Sequence, residues 1–222
     1  MNDPQWQLVD DFLTERLAPA DAALKATLEA NATAGLPAID VSPLLGKLLH
    51  VLVKAVGARS ILEIGTLGGY STIWLARALP AGGKVTTLES DPDHAIVAKA
   101  NLTRAGLYHL VDLRLAPAAE TLAELKAQAC PPFDFIFIDA DKPSYPEYLT
   151  WCLQLSRPGT VIVADNVVRA GKIVDASSSE PDVQGIRRFL DMLAAEPRLS
   201  TSALQTVGKK GYDGVAIAVV LR

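Results

Sequence analysis

Asp139, Asp165 and Asn166 are the residues of this chain best suited to hold a metal ion. Two acids and an amide offer hard oxygen donors, with no histidine or cysteine beside them, and such a set suits Mg²⁺, Mn²⁺ or Ca²⁺ and not zinc. Each group follows an apolar run, Phe135-Ile136-Phe137-Ile138 before Asp139 and Val161-Ile162-Val163-Ala164 before Asp165-Asn166. Ligands of parallel sheets bind at the carboxyl ends of the strands, and neighbouring strands lie about 5 Å apart. The three groups therefore converge if these two strands are adjacent. Lys142 follows closely after Asp139 and, beside a divalent cation, is a candidate general base. The plainer alternative is that these acids and Asn166 cap helices and that Lys142 faces solvent.

A second group of polar residues surrounds a glycine turn. Ile61-Leu62-Glu63-Ile64 has the character of a buried parallel strand, Gly65, Gly68 and Gly69 interrupt it, and a helical pattern opens at Tyr70. Strand, glycine turn and helix make a nucleotide-binding hairpin: glycine admits a ligand to the backbone, and the helix start offers free N–H groups. The dinucleotide pattern G-x-G-x-x-G would need glycine at 67 and 70, where Leu67 and Tyr70 stand, and no Gly-Lys-Ser/Thr loop is present. Glu89, at the end of the next strand, can accept hydrogen bonds from ribose hydroxyls and would repel a phosphate. Glu63 is an anion inside an apolar strand and needs a partner there. A cationic amine of a ligand would serve, and so would a helix cation. Ribose, a positive group and no phosphate together describe S-adenosylmethionine (SAM).

These residues need a frame, and the sequence supplies an alternating one. Strand patterns at 61–65, 84–89, 111–115, 133–139 and 160–164 alternate with helical patterns at 70–79, 92–104, 117–128, 144–156 and 182–195. That alternation predicts an α/β fold with a parallel sheet covered on both faces. Two final strands, 199–206 and 213–221, have no helix between them and should form an antiparallel hairpin. Helices at 5–17, 19–31 and 43–56 precede the sheet, the last capped by Ser42-Pro43. The expected division is a single domain over 1–222, with a helical extension at 1–40 and a SAM-binding core at 41–222. The extension carries no chemical motif and is expected to cap the core or contact another subunit. Loop 166–181, with Arg169, Lys172 and three serines at 177–179, would close over an acceptor; its cations would meet an acidic substrate tail or merely keep the loop soluble. Tyr145, Tyr148 and Trp151 would line an aromatic pocket or pack in the core.

Composition narrows the partners. Half of the 222 residues are hydrophobic and the formal net charge is −4, which argues against nucleic acid, since phosphate binding needs a basic surface. No apolar run is long enough to span a membrane, and Met1 to Gln5 lack the basic start of a signal peptide. A cytoplasmic protein is expected. In that reducing setting Cys130 and Cys152 are expected as free thiols. His50, His94 and His109 have no ligand spacing and are expected to be structural.

Taken together, Glu63-Ile64-Gly65-Thr66, Gly69-Tyr70-Ser71, the segment Asp134 to Lys142, Asp165-Asn166-Val167 and Gly211-Tyr212-Asp213-Gly214 resemble the metal-dependent O-methyltransferases of the catechol and caffeoyl-coenzyme A type. The resemblance runs from about residue 40 to the C-terminus. It implies the three-layer, Rossmann-like class I methyltransferase sheet. It implies SAM contacts from Glu63, Gly65, Thr66, Ser71, Glu89 and Ala118, with Val41 lying over the cofactor. It places Asp141 near the cofactor's amino acid end, with Asp139 touching the cofactor as well as the metal. Asp139, Asp165 and Asn166 would hold Mg²⁺, Mn²⁺ or Ca²⁺, and Lys142 would take a proton from a vicinal dihydroxy-aromatic, small-molecule phenolic substrate. The family usually has Asp at the position of Glu89, a departure of one methylene. It is commonly dimeric, so a homodimer is expected. The rival readings are a metal-independent SAM methyltransferase of the same fold, a nicotinamide oxidoreductase, and a non-catalytic nucleoside-binding protein.

Overall fold

In the computed structural model the described residues are 3–221; Met1, Asn2 and Arg222, which the division above places at the chain ends, lie outside them. Eight helices, α1 (Pro4–Leu17), α2 (Ala22–Thr33), α3 (Pro43–Val56), α4 (Tyr70–Ala78), α5 (Pro92–Arg104), α6 (Ala118–Ala127), α7 (Tyr145–Gln154) and α8 (Pro181–Ala195), surround a sheet. Its strands are β1 (Ser60–Ile64), β2 (Lys84–Glu89), β3 (Val111–Leu115), β4 (Phe133–Ile138), β5 (Ser156–Asp165), β6 (Leu199–Gly208) and β7 (Gly211–Val220). The spatial order is β3-β2-β1-β4-β5-β7-β6, with β1 to β5 parallel and β7 antiparallel to both β5 and β6.

Strand order reverses between β1 and β4, and such a switch point opens a crevice above the carboxyl ends of the two strands. Alternate residues feed opposite layers. Leu62, Ile64, Ile136 and Ile138 pack against α6, α7 and α8, while Ile61, Phe135 and Phe137 pack under α3 and α4. Burial on both faces is why β1 and β4 are almost wholly apolar, and it leaves Glu63 as a buried exception.

The local signals account for most boundaries. Ser42 Oγ accepts from Leu45 N at 3.1 Å, so the Ser-Pro pair caps α3 as expected. Asp21 caps α2 through Leu24 N at 2.9 Å, which moves that helix to Ala22–Thr33 from the expected 19–31. β5 begins at Ser156 and not at 160, because the chain re-pairs with Phe133 ahead of Gly159, whose φ is 89°. The expected open loop at 166–181 contains a kinked 3₁₀ turn at Arg169–Val174. No helix among the described residues is long and apolar enough to cross a membrane.

Candidate active site

The crevice at the switch point holds a cavity of about 700 Å³, lined from both sides of the reversal. Val41, Gly65, Thr66, Ser71, Glu89 and Ala118 lie on its wall at the β1–β2 side; Asp139, Asp141, Lys142 and Asn166 lie on the β4–β5 side. Two of the expected site residues, Glu63 and Asp165, are not on the wall.

Glu63 is fully buried. Its Oε1 accepts from Ser71 Oγ at 2.6 Å, and its Oε2 accepts from Thr72 Oγ1 at 2.5 Å and Thr87 Oγ1 at 2.7 Å. The partner expected from a ligand amine or a helix cation is thus supplied by three hydroxyls, and the carboxyl acts from behind Ser71. Burial outweighs those bonds and raises its pKa from 4.5 to about 7.

The glycines of the turn answer to protein atoms. A Cβ on Gly65 would lie 2.1 Å from the Asp139 carbonyl, and one on Gly68 would lie 1.9 Å from Asn31 Oδ1. Close strand and helix packing requires glycine at both positions, and Gly65 also lies on the cavity wall, where a ligand can approach it. Glu89 lies nearby, its Oε2 accepting from Leu67 N at 2.8 Å and its Oε1 from Ser90 N and Asp91 N at 2.9 and 3.0 Å. A carboxylate offers about four acceptor positions, so Glu89 keeps capacity for a ribose hydroxyl beside these three backbone donors. His94, expected to be purely structural, lines the same wall with Nδ1 3.7 Å from Glu89 Oε1.

On the other side, β4 and β5 are adjacent, and the register Ile138↔Ala164 brings Asp139 and Asp165 alongside one another. Asp165 is 6% exposed, and burial followed by the Asp139 charge raises its pKa to about 7. Asn166 has φ 61°, a left-handed conformation that Asn tolerates. Two crowded carboxylates and an amide oxygen form a hard donor set whose mutual repulsion a cation would relieve, so these residues fit a divalent ion. Among the described residues no third carboxylate, imidazole or thiol joins them.

Lys142 is 7% exposed, and its Nζ donates to Asp139 Oδ1 at 2.8 Å and to the Tyr145 hydroxyl at 2.9 Å. That hydroxyl lies 3.1 Å from the Ile138 carbonyl and 2.9 Å from the Asp165 carbonyl, which pins the lysine to the ends of both strands. Burial keeps Tyr145 protonated by raising its pKa well above the usual phenol value. Tyr145 is therefore a buried orienting group, Tyr148 lines the cavity and donates to Asp141 Oδ1 at 2.5 Å, and Trp151 packs against the core. Arg169 pairs with Asp182 at 2.6 Å and Lys172 with Glu180 at 2.8 Å, so both loop cations are already matched. Leu67 N–H and the Thr72 and Thr87 hydroxyls carried no motif and were not foreseen as parts of the site, and Tyr145, expected to line an aromatic pocket or pack in the core, instead orients Lys142.

Known proteins match the chain over nearly its whole length. A sequence profile of the O-methyltransferase family matches residues 15–219. The chain is 52% identical over 220 residues to the catechol O-methyltransferase of Niastella koreensis, covering 99% of this chain and 100% of that one. It is 50% identical over 212 residues to the catechol O-methyltransferase of Mycobacterium tuberculosis, covering 96% and 94%. The O-methyltransferase of Bacillus cereus in complex with SAH superposes with a TM-score of 0.96 at 56% identity, over 97% of this chain and 98% of that one. TomG of Streptomyces achromogenes, in complex with SAM, gives a TM-score of 0.96 at 45% identity over both whole chains. A SAM-sized cavity at a class I switch point and these relatives agree: the chain belongs to the O-methyltransferase family and is a SAM-dependent O-methyltransferase.

Proposed function

We propose that this enzyme methylates one hydroxyl of a vicinal dihydroxy-aromatic compound and requires a divalent metal, Mg²⁺ by default. The observation that carries the reading is the convergence of Asp139, Asp165 and Asn166 within reach of Lys142, across one cavity from the glycine turn. The names of the two relatives at 52% and 50% identity favour a catechol acceptor. A divalent ion held by Asp139, Asp165 and Asn166 would supply Lewis-acid chemistry to the paired oxygens of such an acceptor.

The chain's own groups do the rest. Lys142 Nζ, released from Asp139 and having given a proton to solvent, takes as the neutral amine the proton of the reacting hydroxyl, and Tyr145 fixes where that nitrogen points. SAM bound there would supply the methyl group: the phenolate oxygen bonds to the methyl carbon in line as the carbon–sulfur bond breaks and the thioether leaves. Ser71 and Glu89 hold the cofactor end, and Val41 closes over it, so orientation supplies much of the rate. The test is Mn²⁺ binding followed by calorimetry. Wild type should bind about one ion, and Asp165→Ala should bind none at the same concentration; equal binding would remove the metal site.

The enzyme is also proposed to be a homodimer. Leu8, Val9, Phe12 and Leu17 of α1 are 46–64% exposed, and Leu204 and Val207 on the neighbouring edge strand β6 are half exposed. A bare strand edge flanked by apolar side chains is a surface that proteins ordinarily cover. Light scattering with Phe12→Glu against wild type tests it, with a monomeric wild type as the contrary result.

A further inference from the structure

The helical extension carries no motif, yet one of its side chains reaches the glycine turn. Asn31, near the end of α2, is 2% exposed. Its Nδ2 donates to Asp40 Oδ1 at 2.9 Å, and its Oδ1 accepts from Asn101 Nδ2 at 2.9 Å. Asn101, fully buried in α5, donates from the same nitrogen to the Gly68 carbonyl at 2.9 Å, while its Oδ1 accepts from Arg104 at 2.6 Å. The donors all run one way, from the Arg104 guanidinium through two amides to the Asp40 carboxylate. Aligned bonds of this kind polarise one another and fix the geometry of every member.

The relay ties together two separate pieces of the cofactor cavity wall. Asp40 lies between Ile39 and Val41, which line the cavity with it. Gly68 is next to Leu67, whose N–H holds Glu89. Leu36 N bonds the Asn31 carbonyl at 3.0 Å, and Lys210 Nζ, from the β6–β7 turn, bonds the Ala38 carbonyl at 3.2 Å, so segment 36–41 is held at its start and middle as well as at Asp40. The glycine at 68 is itself explained here, because any side chain would displace the Asn31 amide.

We infer that Asn31 is a positioning residue for SAM: acting through Asp40 and Gly68, it holds the 39–41 segment and the glycine turn in the spacing the cofactor needs. It stands behind the cavity wall and touches no reacting atom. Asn31→Ala should weaken SAM and S-adenosylhomocysteine binding about tenfold or more, the scale of one lost hydrogen bond to a charged group. Turnover at saturating SAM should stay within about twofold, since binding is lost equally in the ground and transition states.

The measurement is calorimetric affinity for both nucleosides, with thermal melting in parallel. A purely structural asparagine would lower the melting temperature of Asn31→Ala and leave both affinities unchanged, and that result overturns the inference. An isosteric pair decides the matter even if Asn31→Ala does not fold. Asn31→Asp sets two carboxylates against each other and should weaken binding, and adding Asp40→Asn restores a donor between them and should recover the affinity. A double variant as weak as Asn31→Asp alone overturns the proposal. Absence of SAM binding by the wild-type protein would instead remove the SAM dependence on which the inference rests.

Discussion

Replacing Glu63 by Gln should make the cofactor-free, metal-free protein more stable at neutral pH and flatten its pH profile. The Glu63 carboxyl has a folded pKa of about 7 against 4.5 when exposed. Below pH 4.5 it is protonated in both states and costs nothing electrostatically. Between 4.5 and 7 the unfolded chain releases its proton while the folded chain keeps it, so stability falls as pH rises and levels off above 7. A gap of 2.5 units at about 1.36 kcal/mol each gives a loss of about 3 kcal/mol across that window. Glutamine keeps the shape, can bond the Ser71, Thr72 and Thr87 hydroxyls after they rotate, and never ionises. Urea unfolding followed by tryptophan fluorescence, at half-unit steps from pH 4.5 to 8, measures both proteins. Asp165 titrates in the same window and sense, so the quantity of interest is the difference between the two profiles. A gap that opens by about 3 kcal/mol towards pH 8 is expected. Parallel profiles would show that the three hydroxyls stabilise the ionised carboxylate fully and that burial has been overweighted.

Other perturbations separate the parts of the site. Lys142→Ala should lower kcat by about 10² to 10⁴ and leave the calorimetric affinity for SAM nearly unchanged; unchanged turnover would take Lys142 out of the mechanism. Tyr145→Phe removes the hydroxyl that positions Lys142 Nζ and should lower kcat by a smaller factor, measured in the same assay. Gly65→Ala places a Cβ 2.1 Å from the Asp139 carbonyl at φ 98°, so it should destabilise the fold by about 1–3 kcal/mol in urea and also move Asp139, a proposed metal ligand. Phe137→Ala in the fully buried β4 core should cost about 3–5 kcal/mol in the same experiment.

The strand runs at 61–65 and 133–139 were legible because a strand buried on both faces needs consecutive apolar residues. The acids at their ends stood out against those runs for the same reason. Boundaries failed where tertiary contact overrode local signal. Arg157-Pro158-Gly159 has the composition of a turn, yet β5 resumes pairing with Phe133 ahead of it. The environment of Glu63 was invisible, since Ser71, Thr72 and Thr87 come from two elements and form no pattern in the chain. Asn31 was hidden in the same way: within an alanine-rich helix it looks like a surface residue, and its partner Asn101 is 70 positions away. The pairing of Arg169 with Asp182 and of Lys172 with Glu180 likewise depended on how the 166–181 loop folds back on α8.

Transfer of an isotopically labelled methyl group from SAM to catechol and to phenol, in metal-stripped enzyme with Mg²⁺ restored or with excess EDTA, probes the proposed chemistry head on. Methylation of catechol with Mg²⁺, abolished by EDTA and absent with phenol, is the expected outcome. Catechol methylated equally fast in excess chelator, or phenol methylated as well as catechol, would contradict a metal-held vicinal diol as the acceptor.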